Sequence, residues 1–351
     1  MSEKIRLNEE EVGELERTIK LNAFLDVNLE GGSVEAFGTN DLLPATDYEK
    51  EKALSEERDV FLEKFSVADI LEASLKDASF VIDKNGNIEI THNQQALEIL
   101  AGYGYKGGAA RSVLRKVLGL KDIPPRDFDV VRLGAEPYAG ADNEVAKKFM
   151  AHDFEFGDGV EVVDNPNEYL ETRDFTINEV YTNGDKIIAT QQCIKDTVRN
   201  VIRTTAYERK LFSGNGDMGP KMKAKTLRLH AEQMYALGVS SIPEDDLNVI
   251  EGTFINPFWL AVQLDRAFER GTAVAENFTT LLYECKIVPE YVRTSTDLGD
   301  YLLTEVDGFR FRNAPHLQYK FEEDHKEDEA GLQQADLLED YFDTVYHGSK
   351  Y

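Results

Sequence analysis

Cysteine is scarce. The 351 residues hold two, Cys193 and Cys285, far apart in the chain. That excludes a disulfide framework and any cysteine-rich zinc spacing, and it suits a reducing compartment. Histidine is also sparse: the six (His92, His152, His230, His316, His325 and His347) are scattered without an HxxxH pairing. Long apolar runs are missing too; none reaches the roughly 18 residues that a membrane-spanning helix needs, so no membrane partner is expected. The opening Met1-Ser2-Glu3-Lys4-Ile5 lacks the basic start and apolar core of a signal peptide, so the expected location is cytoplasmic. Positive charge is in short supply, with 39 Lys and Arg against 66 Asp and Glu and a net charge of −27. Such a surface repels polyanions and argues against indiscriminate nucleic-acid binding.

The deficit is uneven. Residues 106–228 carry nearly equal numbers of acids and bases, and the flanks hold the excess acid. Within 199–228 the balance turns basic: Arg199, Arg203, Arg209, Lys210, Lys221, Lys223, Lys225 and Arg228 face only Glu208 and Asp217. A neutral middle with a basic strip can hold a polyphosphate, or it can be a solvated helix face.

Hydrophobic residues make up 42% and charged residues 30%, an ordinary globular balance, and the length allows two or three cores. Three regions are expected. Residues 1–92 form an acidic extension with helices near 9–21, 50–64 and 66–78. It closes with a hairpin over 79–92, turned by Asn85-Gly86. Residues 93–215 alternate helix and strand. Helices are expected over 93–100, 109–118 and 143–150, and strands over 128–133, 154–156, 160–163, 176–181 and 186–189. That mixture reads as an α+β head with one mixed sheet. Residues 216–351 are mainly helical, over 221–237, 257–270 and 272–286, with Phe258 and Trp259 expected as core anchors. An acidic tail ends in an amphipathic helix over 332–345, a candidate surface for a protein partner.

Chemistry concentrates in residues 107–133. Gly107-Gly108 at the start of a helix lets the backbone approach a triphosphate and aim N–H groups at it. In Arg126-Asp127-Phe128-Asp129-Val130-Val131, strand alternation places Asp127 and Asp129 on one face, about 7 Å apart. Phe128 is expected to point into the core. Two such carboxylates suit Mg²⁺, which favours hard oxygen ligands together with phosphate oxygens. Either signal alone is weak.

Further on come Thr172-Arg173-Asp174-Phe175-Thr176-Ile177-Asn178 and Lys195-Asp196-Thr197-Val198-Arg199-Asn200-Val201-Ile202-Arg203-Thr204. Taken with Gly107-Gly108-Ala109-Ala110-Arg111 and Asp127-Phe128-Asp129, this order resembles the class II tRNA nucleotidyltransferase (CCA-adding enzyme) and bacterial poly(A) polymerase family. That family carries GG-x-x-R-D, D-x-D, RRDFTIN and a DLKNKIIRT-like stretch in sequence. The likeness covers residues 95–240. It implies a polymerase-β-type nucleotidyltransferase head followed by a helical region, and transfer of a nucleoside monophosphate from an NTP (ATP or CTP) to an RNA 3′ end, of tRNA by precedent. The setting it implies is a bacterial cell or a phage-infected host.

By the same likeness, Gly107, Gly108 and Arg111 match the nucleotide-gripping helix start, and Asp127 and Asp129 match the Mg²⁺ ligands. Arg173 and Asp174 match the motif that organises the nucleotide pocket; their bland alternative is a structural ion pair. The fold usually adds a third carboxylate on the neighbouring strand. Glu161 is the better candidate, since Val160 and Val162 on either side would turn into the core and leave it facing out; Glu155, between Phe154 and Phe156, has the same pattern and is the rival.

The chain departs from the family at three points. Ser112 stands for the Asp of GG-x-x-R-D, and Thr172 stands for the first Arg of RRDFTIN. The base-reading E-D-x-x-R has no counterpart in Gly216-Asp217-Met218-Gly219-Pro220-Lys221-Met222-Lys223, so nucleobase choice is not implied. Two alternative functions remain: nucleotidyl transfer to a protein or small molecule, and a catalytically silent interaction module.

Overall fold

The computed structural model describes residues 13–16, 18–19, 61–93, 99, 101–126, 128–134, 140–149, 160–212 and 217–324. Asp127, Glu155, the strand expected over 154–156 and the C-terminal helix expected over 332–345 lie outside the described residues, as do most of the helices expected near 9–21, 50–64 and 93–100. The architecture is mixed α+β. No helix among the described residues is long and apolar enough to cross a membrane.

Contacts divide the chain into two compact units, the first reaching Asp217 and adding Ala236–Asp246. Its centre, among the described residues, is a seven-stranded mixed sheet. The strands are β1 (Ala78–Ile82), β2 (Ile88–His92), β3 (Tyr103–Tyr105), β4 (Val130–Leu133), β5 (Glu161–Val163), β6 (Val180–Thr182) and β7 (Lys186–Ala189). They lie in the order β1-β2-β7-β6-β3-β4-β5. All neighbours are antiparallel except β4 and β5, which run parallel with Val131 opposite Glu161. A parallel pair needs a crossover; here it contains helix α3 (Ala141–Phe149).

The expected hairpin over 79–92 forms, with Gly86 taking φ +85° at the turn. Its second strand pairs with β7, so the hairpin shares the sheet with residues from the head. Ahead of it, Ser66 caps helix α1 (Val67–Ser74) in a reciprocal capping box with Asp69, as Ser, Thr and Asp do at helix starts.

Alternation divides the sheet's apolar residues between its faces. Val130 joins Tyr103, Tyr105, Ala109, Ala141 and Val145. Val131 instead joins Val163, Tyr169, Leu170 and Tyr181. A third cluster packs α1 and the hairpin against helices α2 (Gly107–Val117) and α5 (Gln191–Arg199).

Several expectations need correction. Phe128 does not enter the core: it is 42% exposed, with its ring edge-on to Tyr105 at 5.9 Å. The strand begins only at Val130, so Phe128 caps the outside of the Tyr105 cluster. Val162, counted as core-facing, is 50% exposed, and Glu161 shares its face with the buried Val163. The strand expected over 176–181 starts at Val180, because Thr176–Asn178 form a 3₁₀ turn. Helix α4 (Pro166–Glu171), which the sequence reading passed over, starts from Asn165, whose side chain accepts from the Asn167 and Glu168 N–H groups.

The first unit continues with α6 (Ala206–Phe212), and α8 (Glu244–Ile250) lies across its end at Asp246. The second unit holds Met218–Tyr235, which includes most of helix α7 (Pro220–Leu237), and the chain from Leu247 onward. Its helices α9 (Pro257–Arg270), α10 (Thr272–Glu284), α11 (Ser295–Glu305) and α12 (Pro315–Asp324) bury Leu260, Leu264, Phe278, Leu298 and Leu317. Phe258 is not a core anchor. Asn256 caps α9 and Pro257 opens it, which leaves Phe258 in the uncovered first turn and Trp259 only partly covered.

Candidate active site

The site forms where β3 runs into α2. Lys106, the residue before the glycines, donates its backbone N–H to Asp129 O at 2.9 Å. That bond extends the β3–β4 ladder by one step and carries Asp129 to the mouth of the helix. Gly107 adopts φ +56°, the left-handed region that L side chains enter only at a cost. A Cβ there would lie 3.3 Å from Asp129 Oδ2. The glycine therefore serves both the turn and the close approach of a carboxylate to the start of α2.

Arg111, one turn along α2, folds back over Gly108. Its Nη2 lies 3.9 Å from where a Cβ on Gly108 would stand, and its Nη1 donates to Asn178 Oδ1. Asn178 in turn donates to Asp174 Oδ1 at 2.6 Å, an oxygen that also accepts from Phe175 N at 2.9 Å. Arg111, Asn178 and Asp174 are thus linked side chain to side chain. Beneath them the fully buried Tyr169 hydroxyl reaches the Asn178 carbonyl at 3.4 Å and the Gly107 backbone.

Glu161 lies on β5 beside β4, where a third carboxylate was expected, but its charge is already committed. Oε2 accepts from Lys106 Nζ at 2.6 Å. Arg173 grips both oxygens, Nη2 to Oε1 at 2.5 Å and Nη1 to Oε2 at 3.1 Å. Burial pushes the Glu161 carboxyl up, but the hydrogen bonds and charges of Arg173 and Lys106 outweigh it and hold it below its ordinary 4.5. Arg173 also donates to Tyr169 O (2.7 Å) and Thr172 Oγ1 (2.9 Å), and its guanidinium lies 4.0 Å from the Tyr169 ring centre. Arg173 thus clamps Glu161 through hydrogen bonds, while the charge of the adjacent Asp174 also acts on it. Asp174 itself orders the Asn178 turn.

The two later motifs are joined by one buried carboxylate. Asp196 Oδ2 accepts from Thr176 Oγ1 at 2.6 Å and Arg203 Nε at 3.0 Å, and Oδ1 accepts from Gln192 Nε2 at 2.9 Å. Phe175 and Thr204 form an isolated bridge across the same junction. Asn200 ends α5 in the left-handed conformation, φ +57°, and its Oδ1 accepts from Arg115 of α2 at 2.9 Å. The second motif thereby fixes the first, and both are tied to the glycine-led helix.

The structure thus brings together Gly107, Gly108, Arg111, Asp129, Glu161, Arg173 and Asp174. Lys106 and Tyr169 belong to the same group, and the sequence reading did not single them out. Asn165-Pro166, a cap followed by proline at N1, was the available signal for the helix that presents Tyr169. Among the described residues no three His, Cys, Asp or Glu side chains converge as a metal-binding group.

Compared with known proteins, the chain matches no family model and no curated protein.

Proposed function

We propose that the first unit is a Mg²⁺-dependent nucleotidyltransferase that moves a nucleoside monophosphate from an NTP to an RNA 3′ end, tRNA being the acceptor that the sequence likeness suggests. One observation carries the reading. Three motifs far apart in sequence meet: Asp129 lies against the Gly107 turn, and Arg111 of the same helix is bonded to Asn178 of the RDFTIN segment.

In this reading the Gly108 end of α2 receives the triphosphate. Backbone N–H groups and the positive helix end favour phosphate there. Arg111 supplies a forked donor close by, suited to phosphate oxygens. Asp174 and Asn178 fix that arginine rather than touch the reacting atoms. Asp129 has the hard oxygens that Mg²⁺ prefers and, with Asp127, would hold it. Glu161 fits that role poorly, since Lys106 and Arg173 take both its oxygens. The metal would supply hydroxyl activation and neutralise the departing pyrophosphate.

The test incubates the protein with Mg²⁺, each labelled NTP and total tRNA. Incorporation that disappears in Asp129→Ala supports the reading. Absence of incorporation from every NTP, with Asp129→Ala indistinguishable from wild type, sinks it. A second reading, transfer to a protein or small molecule, is favoured by the missing E-D-x-x-R at 216–223. It gains if NTP binding survives while RNA binding is weak even at low salt.

A further inference from the structure

The second unit carries an aromatic face that its own core does not use. Phe254 is 79% exposed on the segment leading into α9. That segment is pinned on both sides: Gly252 N donates to Cys285 O at 2.8 Å, and Ile255 is buried. Phe254 is therefore held outward by a fixed backbone. Phe258 stands in the first turn of α9, its ring 5.2 Å from that of Trp259 and 6.2 Å from that of Phe309. The loop bearing Phe309 is equally set. Gln318 donates to Phe309 O at 3.2 Å and accepts from Phe311 N at 3.4 Å, and the buried Phe311 ring lies 5.0 Å from Phe309.

One cation lies at these rings. Lys221 Nζ sits 5.5 Å from the Trp259 ring centre; Arg310 and Arg312 are exposed on the Phe309 loop, where Arg312 also acts on the Asp265 carboxylate. Isolated exposed apolar residues need no explanation, but a group of rings on a pinned backbone does. An aliphatic partner helix would gain nothing from the cations, and a duplex presents no unstacked base. A single strand offers both flat bases and phosphates, the pairing that stacking platforms with basic flanks recognise.

We propose that this face binds single-stranded RNA, with bases against Phe254 and Phe258 and phosphates toward Lys221, Arg310 and Arg312. Its role as the holder of the acceptor strand rests on the transferase reading; strand binding itself is measured separately. The local cations make such binding compatible with a net charge of −27, though only at a confined place.

The experiment measures fluorescence anisotropy of a fluorescein-labelled ten-adenosine RNA titrated with the full chain at two salt concentrations, with an RNA duplex of the same length as competitor. The expected result is binding that weakens with salt and that the duplex displaces poorly. Phe254→Ala and Phe258→Leu should each weaken it at least about fivefold. Phe258→Tyr should restore it, and Lys221→Ala should both weaken it and flatten its salt dependence. Unchanged affinity in the Phe254→Ala/Phe258→Leu double variant, no binding at low salt, or equal capture of the duplex overturns the proposal. If those aromatic variants bind normally while wild type incorporates nucleotide, the face fails and the transferase reading stands. If binding depends on the aromatics while no NTP is incorporated, the face stands and the transferase reading fails.

Discussion

Arg173 meets the Glu161 carboxylate through two parallel hydrogen bonds, Nη2 to Oε1 at 2.5 Å and Nη1 to Oε2 at 3.1 Å. Forked pairing of this kind fixes orientation as well as charge. Lys106 binds the same carboxylate from the other side of β4. Glu161 therefore holds together the residue that precedes Gly107 and the arginine of the RDFTIN segment.

Glu161→Gln keeps the shape but removes the charge shared by two cations. The expected cost is about 1–3 kcal/mol in urea denaturation, in line with hydrogen bonds to charged groups. The pH dependence has a definite sign. The folded carboxyl titrates below its ordinary 4.5, so its stabilisation is present above that value and is lost as pH falls below it. Wild type should lose that increment on acidification, and Glu161→Gln should not. If Glu161 is a clamp and not a metal ligand, the Mg²⁺ concentration giving half-maximal incorporation will be the same in the variant. A large rise in that concentration would assign Glu161 to the metal.

Glu179 makes the opposite pH prediction. Burial, helped by the charge of Asp196 and opposed by a hydrogen bond from Thr190, pushes its carboxyl up to about 7. A folded value above the ordinary 4.5 means that the folded chain holds a proton the unfolded chain has released. Stability contributed by the group is thus full below 4.5 and declines as pH rises toward 7. Glu179→Gln should melt near the wild-type temperature at pH 5 and above it at pH 8. Thr190 can still donate to the amide oxygen. Parallel melting curves for the two proteins across that range would refute the assignment.

Asp196 is fully buried and accepts from Thr176, Gln192 and Arg203. Asp196→Ala leaves the buried Thr176 hydroxyl without its acceptor and releases the partly exposed Gln192 and Arg203, and the expected loss is about 1–3 kcal/mol. The RDFTIN turn and the segment around Arg203 should loosen together. Hydrogen exchange checks this: the Thr176 amide, which donates to Arg203 O, and the Thr205 amide, which donates to Asp174 O, should both lose protection in the variant. Protection lost at only one of the two segments would argue against a shared anchor.

Much of this was legible because it is local. Asn85-Gly86 between two alternating runs marked the hairpin, and the apolar spacing of 257–270 matched α9 end to end. The 176–181 stretch misled because its β-branched residues read as strand. Thr176 and Asn178 are captured instead by Asp196 and Asp174, and side-chain partners far along the chain override local propensity. Glu161 shows the same limit. Alternation placed it on β5, but its partners depend on strand order. Lys106 leaves β3 and reaches across β4 to Glu161, a neighbourhood that spacing along the sequence does not reveal. Lys106 itself carried no motif.

The two adjacent glycines should respond differently to the same substitution. Gly107→Ala forces an L side chain to φ +56° and sets its Cβ 3.3 Å from Asp129 Oδ2. The conformational part alone costs about 1–2 kcal/mol, and the carboxylate must also shift. Gly108 has no positive φ, and its nearest neighbour to a new Cβ is Pro125 Cβ at an ordinary 3.6 Å. Alanine in a helix is favoured over glycine by about 0.5–1 kcal/mol, so Gly108→Ala should match or exceed wild type in urea. Under the transferase reading its methyl stands where phosphate approaches α2, so the NTP KM should rise several-fold in a protein that is no less stable. Loss of stability in Gly107→Ala without a KM effect in Gly108→Ala would leave the glycine pair a structural turn and move the triphosphate elsewhere.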